Sequence, residues 1–110
     1  MSKPLELRIE HHRQSPRIVV VGELDLASAG ELEGRIRELE SSRPPMIVLD
    51  LRELEFMDST GLRTVLAADA RARDRGGKLV VVRPPGEVQR VFQLTRMDEH
   101  LEFVDEPPAG

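Results

Sequence analysis

The sequence predicts a single α/β domain: a mixed, mostly parallel sheet of about five strands, with three or four helices packed mainly on one face. Three features predict it. Past residue 28, apolar runs of strand length alternate with amphipathic helical stretches, so strands joined through a helix run parallel with right-handed crossovers. The first two strands are separated only by a short polar turn, which makes the N-terminal strand antiparallel. Three helices are also too few to cover both faces of five strands. The chain has 110 residues, enough for one domain and not two. Residues 1–106 are expected to form it, and residues 107–110, with two prolines and no apolar anchor, a flexible tail.

Leu5, Leu7 and Ile9 alternate with Glu6, Arg8 and Glu10, the period of a half-exposed strand. A polar turn over 11–16 lets Arg17–Val21 return beside it. Gly22-Glu23-Leu24-Asp25 then leaves the second strand. Ser28-Ala29-Gly30-Glu31 has the spacing of a capping box, and Ala29, Leu32, Ile36 and Leu39 form one stripe of a helix over 29–40. Glu31 with Arg35, and Glu33 with Arg37, stand four apart in the favourable order. Met46–Leu51 is a short apolar run bounded by proline and charge, which suits a covered strand. Leu62, Val65 and Leu66 mark a second helix over about 61–73. Asp69 falls inside its apolar arc, so it is expected at the rim, paired with Arg73, because a buried unpaired carboxylate is costly. Gly76-Gly77 stops that helix. Strand 78–82, a third helix around Val88, Val91, Phe92 and Thr95, and an edge strand over 101–104 complete the order β-β-α-β-α-β-α-β.

Composition excludes several functions. A net charge of −4 argues against nucleic acid, whose partners carry a basic footprint. Phe56, Phe92 and Phe103 are the only aromatic residues, too few for a base-stacking platform. No apolar run is long enough to span a bilayer, and no leader opens the chain, so a cytoplasmic protein without membrane partners is expected. Without cysteine there is no disulfide or thiolate site. His11 and His12 are adjacent and cannot face one metal from a regular strand, so no metal or cofactor is expected.

The informative stretch is Phe56-Met57-Asp58-Ser59-Thr60-Gly61-Leu62, between the central strand and the second helix. Asp58, Ser59 and Thr60 are all good N-cap residues, and capping alone accounts for them in the plainest reading. A hydrolase elbow needs glycine where Met57 stands, and nothing places His100 near Ser59, so no catalytic residue is assigned. A receiver-type phosphoacceptor at Asp50, with Glu23 and Asp25 as metal-binding acids, lacks its lysine: Arg83 stands there. The alternation rule instead points Asp50 toward the less covered face. A third reading is a protein–protein switch worked by phosphorylation of Ser59 or Thr60, since a helix N-terminus tolerates the added charge.

Gly22-Glu23-Leu24-Asp25, Ile47-Val48-Leu49-Asp50-Leu51 and the Asp58-Ser59-Thr60-Gly61-Leu62 element, followed by Gly76-Gly77-Lys78-Leu79-Val80-Val81 and Val88-Gln89-Arg90-Val91-Phe92, resemble the STAS-domain anti-sigma factor antagonists in order and spacing. The resemblance implies a STAS-like domain that, unphosphorylated, binds an anti-sigma factor and frees the sigma factor. That anti-sigma factor would itself be a serine kinase of the histidine-kinase-like ATPase fold. A metal-dependent serine phosphatase would restore the binding form; ATP and Mg²⁺ belong to the kinase. The resemblance puts the phosphoacceptor at Ser59, with Thr60 the fallback, and the partner contacts at Asp25, Asp58, Ser59, Thr60, Gly61 and Arg63. Gly61 would sit where a partner's backbone comes close. Arg63 replaces a glycine common in the family and brings a cation near Ser59, and Arg96 replaces another, so the loop into the last strand is expected to differ. STAS domains also serve as scaffold or accessory subunits without a phospho-switch, which is the alternative.

Overall fold

The computed structural model describes residues 4–12 and 14–108. The order is β1 (Glu6–Glu10), β2 (Arg17–Leu24), α1 (Ala29–Glu40), β3 (Met46–Asp50), β4 (Leu54–Met57), α2 (Ser59–Asp74), β5 (Lys78–Val82), α3 (Gly86–Leu94), a 3-10 turn (Met97–Glu99) and β6 (Glu102–Val104). The sheet runs β1-β2-β3-β5-β6, with β4 beside β2. Only the β1–β2 pair is antiparallel; β2–β3, β2–β4, β3–β5 and β5–β6 are parallel. The mixed, mostly parallel sheet with an antiparallel N-terminal strand is as expected, but it has six strands rather than about five. The additional strand, β4, is four residues long and half charged or exposed, too short for a period-2 pattern to register.

β4 exists because β2 outruns its other neighbour. Arg17–Val19 lie beside Val48–Asp50 of β3, whereas Gly22–Leu24 lie beside Leu54–Met57 of β4. The register shifts between Gly22 and Glu23, and Gly22 has φ +98, a conformation that costs little only without a Cβ. Gly22-Glu23-Leu24 therefore continues β2 rather than leaving it. The ends of β2 and β4 then lie in register at Leu24 and Met57, which sets Asp25 and Asp58 side by side.

The helices share one face. Ile18 and Val20, Ile47 and Leu49, and Leu79 and Val81 project from successive strands into a single buried cluster. Leu32 and Ile36 of α1, Val65, Ala68 and Ala72 of α2, and Val88 and Phe92 of α3 close it. The alternate residues Val19, Val48 and Val80 point the other way and are buried as well. That second face is bordered by the Glu10–Arg17 pair at 3.1 Å and the Lys78–Glu102 pair at 3.6 Å. Asp50 shares it. Its carboxylate accepts from Arg52 N, Nε and Nη2 at 3.1, 3.0 and 2.8 Å, and this contact raises the Arg52 pKa further. A carboxylate so occupied is a structural anchor rather than a phosphoacceptor.

Asp69 is buried on the wall of an open groove with Leu66, Arg73 and Met97, and it pairs with Arg73 at 3.1 Å. Burial pushes its carboxyl above the usual range while Arg73 pulls it back. Two local expectations fail. Ser28 makes no side-chain cap bond to α1, and the pair across Glu33 and Arg37 forms at 2.9 Å whereas Arg35 turns to Glu38 instead of Glu31. Arg96 keeps a left-handed backbone, φ 61 and ψ 18, so the bend before the last strand is made without the glycine. Of the tail at 107–110, Ala109 and Gly110 lie outside the described residues.

Candidate functional site

The site is built on the two carboxylates that follow β2 and β4. Asp58 has extended backbone and caps α2: its Oδ1 accepts from Thr60 N at 2.9 Å and Gly61 N at 3.0 Å. These are two of the N–H groups that a helix start leaves without intrahelical partners. Its Oδ2 accepts from Leu26 N at 3.1 Å, tying the start of α2 to the loop after β2.

Asp25 repeats the device one strand over. Its Oδ1 accepts from Ala27 N and Ser28 N, both at 3.1 Å, and its carbonyl accepts from Ser28 N and Ala29 N. Ser28 turns inward: its Oγ lies 3.0 Å from Asp25 Oδ1, accepts from Asp25 N and reaches the Glu23 carbonyl. Asp25 thus closes the turn that precedes α1, and Ser28 is held by that turn instead of capping the helix. The signal was present in Asp25-Leu26-Ala27-Ser28, where an aspartate precedes the helical stripe at the end of a strand. The second oxygen of Asp25 has no hydrogen-bond partner among the described residues, and the side chain is half-buried beside a shallow groove lined by Glu23, Ala27 and Glu31.

Ser59 is the first residue of α2 and is exposed. Its hydroxyl makes no hydrogen bond among the described residues. Thr60 is half-buried, and its Oγ1 accepts from Arg63 Nη2 at 3.5 Å. Arg63, one turn on along α2, is exposed. Gly61 is buried, and its close approach is to its own chain. A Cβ there would stand 2.8 Å from Leu24 Cγ, 2.8 Å from Met57 Cγ and 2.9 Å from the Leu24 carbonyl oxygen. This internal packing lets α2 start directly above the end of β2.

Two exposed apolar side chains lie on the adjoining loop and strand. Leu26, in the loop tied to Asp58, is 78% exposed, and Phe56, on β4 opposite Glu23, is 47% exposed. Leu26 belongs to no periodic stripe, so nothing in the spacing marks it. An exposed hydroxyl, an open carboxylate oxygen, a flanking cation and bare apolar side chains thus gather around the start of α2. Among the described residues no cluster of histidine, aspartate and glutamate is arranged to hold a metal, and no helix is long and apolar enough to cross a membrane.

Known proteins share this architecture. The family model described as "Mlab, STAS domain" matches residues 7–105. The anti-sigma-F factor antagonist RsfB of Mycobacterium tuberculosis is 31% identical over 101 residues, 90% of this chain and 82% of that protein. The crystal structure of an anti-sigma factor antagonist from Mycobacterium paratuberculosis has a TM-score of 0.85 at 28% identity, covering 96% of this chain and 92% of that one. The anti-sigma factor antagonist SpoIIAA in its unphosphorylated form has a TM-score of 0.73 at 22% identity, covering 93% and 90%, a likeness of fold.

Proposed function

Since the chain belongs to the STAS-domain family, we propose that it is an anti-sigma factor antagonist, a regulatory binding protein rather than an enzyme, switched by phosphorylation of Ser59. In the unphosphorylated state it binds an anti-sigma factor through the surface around Asp25, Asp58 and Ser59, and so releases the sigma factor. The anti-sigma factor is a serine kinase of the histidine-kinase-like ATPase fold, and a metal-dependent serine phosphatase resets the switch. The setting is cytoplasmic.

One observation carries this reading. Ser59 is exposed, with a hydroxyl that takes no part in holding the fold, and the capping of α2 is done by Asp58. Thr60 is the poorer acceptor, since it is half-buried and already in contact with Arg63. Transfer of the γ-phosphoryl group forms a bond from phosphorus to Ser59 Oγ and breaks the bond to ADP, while the hydroxyl proton leaves to a base on the kinase. The product carries about −1.5 to −2 charge at pH 7. Against a partner carboxylate at ~5 Å and an effective dielectric of ~20, each added unit costs roughly 3 kcal/mol, on the order of a hundredfold in affinity. The fold survives because negative charge is tolerated at a helix start.

The test is transfer. Incubated with ATP and the kinases encoded near its gene, the protein should gain the mass of one phosphate, stable to acid as a serine ester is. The gain should vanish in Ser59→Ala and persist in Thr60→Ala. No transfer from any kinase of this type would instead favour a scaffold role.

A further inference from the structure

We infer that Arg63 is an intramolecular counter-ion for phosphorylated Ser59, setting how firmly the phosphate is held against its own helix; this rests on the phosphorylation reading above. Ser59 and Arg63 stand four apart on α2, and side chains at that spacing lie on one face, about 5–6 Å between Cβ atoms. Anion first and cation one turn later is the favourable order. Helical side chains lean toward the N-terminus, and Arg63 follows this: its Nη2 already reaches back to Thr60 Oγ1 at 3.5 Å, beside Ser59.

Arg63 is also uncommitted. Among the described residues it has no acidic partner, and the long contact to Thr60 is its only hydrogen bond. The two carboxylates of the adjoining turns are differently disposed. Both oxygens of Asp58 accept backbone N–H groups, and Asp25 directs one oxygen into its own turn. Both carry negative charge that opposes a phosphate, and Arg63, one turn on from Ser59 along α2, is placed to offset it. A guanidinium matches two phosphate oxygens at once, which a lysine ammonium does not. Arg63 is therefore a positioning residue for the modified state: it favours the dianion, draws the phosphate along α2 and makes it harder for a phosphatase to extract.

The experiment installs phosphoserine at position 59 during translation and follows it by phosphorus NMR across pH 4–8 at low salt. The second phosphate pKa should lie about 0.5 units lower in the parent protein than in Arg63→Gln, with Arg63→Lys between them. The difference should shrink at high salt, as a surface pair does. A broad-specificity metal-dependent phosphatase should release phosphate two- to threefold faster from Arg63→Gln. Arg63 is exposed, so the variants should keep the parent Tm. Coincident titration curves for parent and Arg63→Gln would overturn the inference. Because the phosphate is installed without a kinase, that result bears on Arg63 alone, whereas failed transfer in the kinase assay bears on the phosphorylation of Ser59 alone.

Discussion

The two aspartate turns solve one problem in two ways. Each follows a parallel strand, and each carboxylate uses Oδ1 to accept the N–H groups two and three residues ahead. At Asp58 the helix begins at once, Gly61 seats it on Leu24 and Met57, and Oδ2 is committed to Leu26 N. At Asp25 the chain makes a full turn before α1, Ser28 folds back onto the loop, and the second oxygen stays open. The difference separates scaffold from recognition. Asp58 holds two loops in place with both of its oxygens. Asp25 holds its own turn and keeps an acceptor, so it is the carboxylate a docking protein can use.

The comparison breaks most readily at Gly61. A methyl group there meets Leu24 and Met57 at well under contact distance, one neighbour being a backbone oxygen that cannot rotate away. Gly61→Ala should cost about 2–3 kcal/mol, the upper range of overpacking, and lower Tm by roughly 10 °C or more in a thermal melt. Asp58→Ala comes next. It removes a cap and the tie to Leu26, about 2 kcal/mol. Asp25→Ala should cost no more than about 1 kcal/mol, because Ser28 can still bond the Glu23 carbonyl, yet it should weaken binding to the proposed anti-sigma partner at least tenfold. Denaturant melts of both variants with titration calorimetry of Asp25→Ala decide the matter. Equal stability losses, or unchanged affinity in Asp25→Ala, would erase the distinction.

The same two turns show what the sequence made legible. The hairpin, the helix over 29–40 and the buried central strand follow from periodicity, because each buries a face whose spacing is regular. The start of α2 was readable from Asp58-Ser59-Thr60, three cap formers in a row, although spacing alone did not say which one caps. β4 was not readable. Its pairing depends on β2 turning at Gly22 and running past β3, a tertiary event that leaves no local pattern in Leu54-Glu55-Phe56-Met57. The role of Ser28 was misassigned for a related reason. Ser28 and Glu31 have capping-box spacing, but the Ser28 hydroxyl is engaged with Asp25 and the Glu23 carbonyl and so makes no cap bond to α1. The packing of Gly61 against Leu24 and Met57 was not readable either, because a sequence shows a missing side chain without showing what fills its place.

The smallest expected effect on stability is at Ser59, and it is the sharpest test of the division. If Asp58 does the capping, the residue after it is free to carry charge. Ser59→Asp puts an anion on the first turn of α2, where the helix dipole favours it by about 0.3–1 kcal/mol, while the neighbouring carboxylates of Asp58 and Asp25 oppose it by a similar amount. Tm should move by no more than a few degrees. Binding to the anti-sigma partner should fall by on the order of a hundredfold if a partner carboxylate faces the hydroxyl, one unit of like charge at ~5 Å being worth roughly 3 kcal/mol. A cooperative melt at the parent temperature together with lost binding would show recognition riding on a scaffold that does not respond to it. Unfolding on Ser59→Asp would mean that the hydroxyl, and not Asp58 alone, holds the start of α2, and the two turns would then not differ as argued.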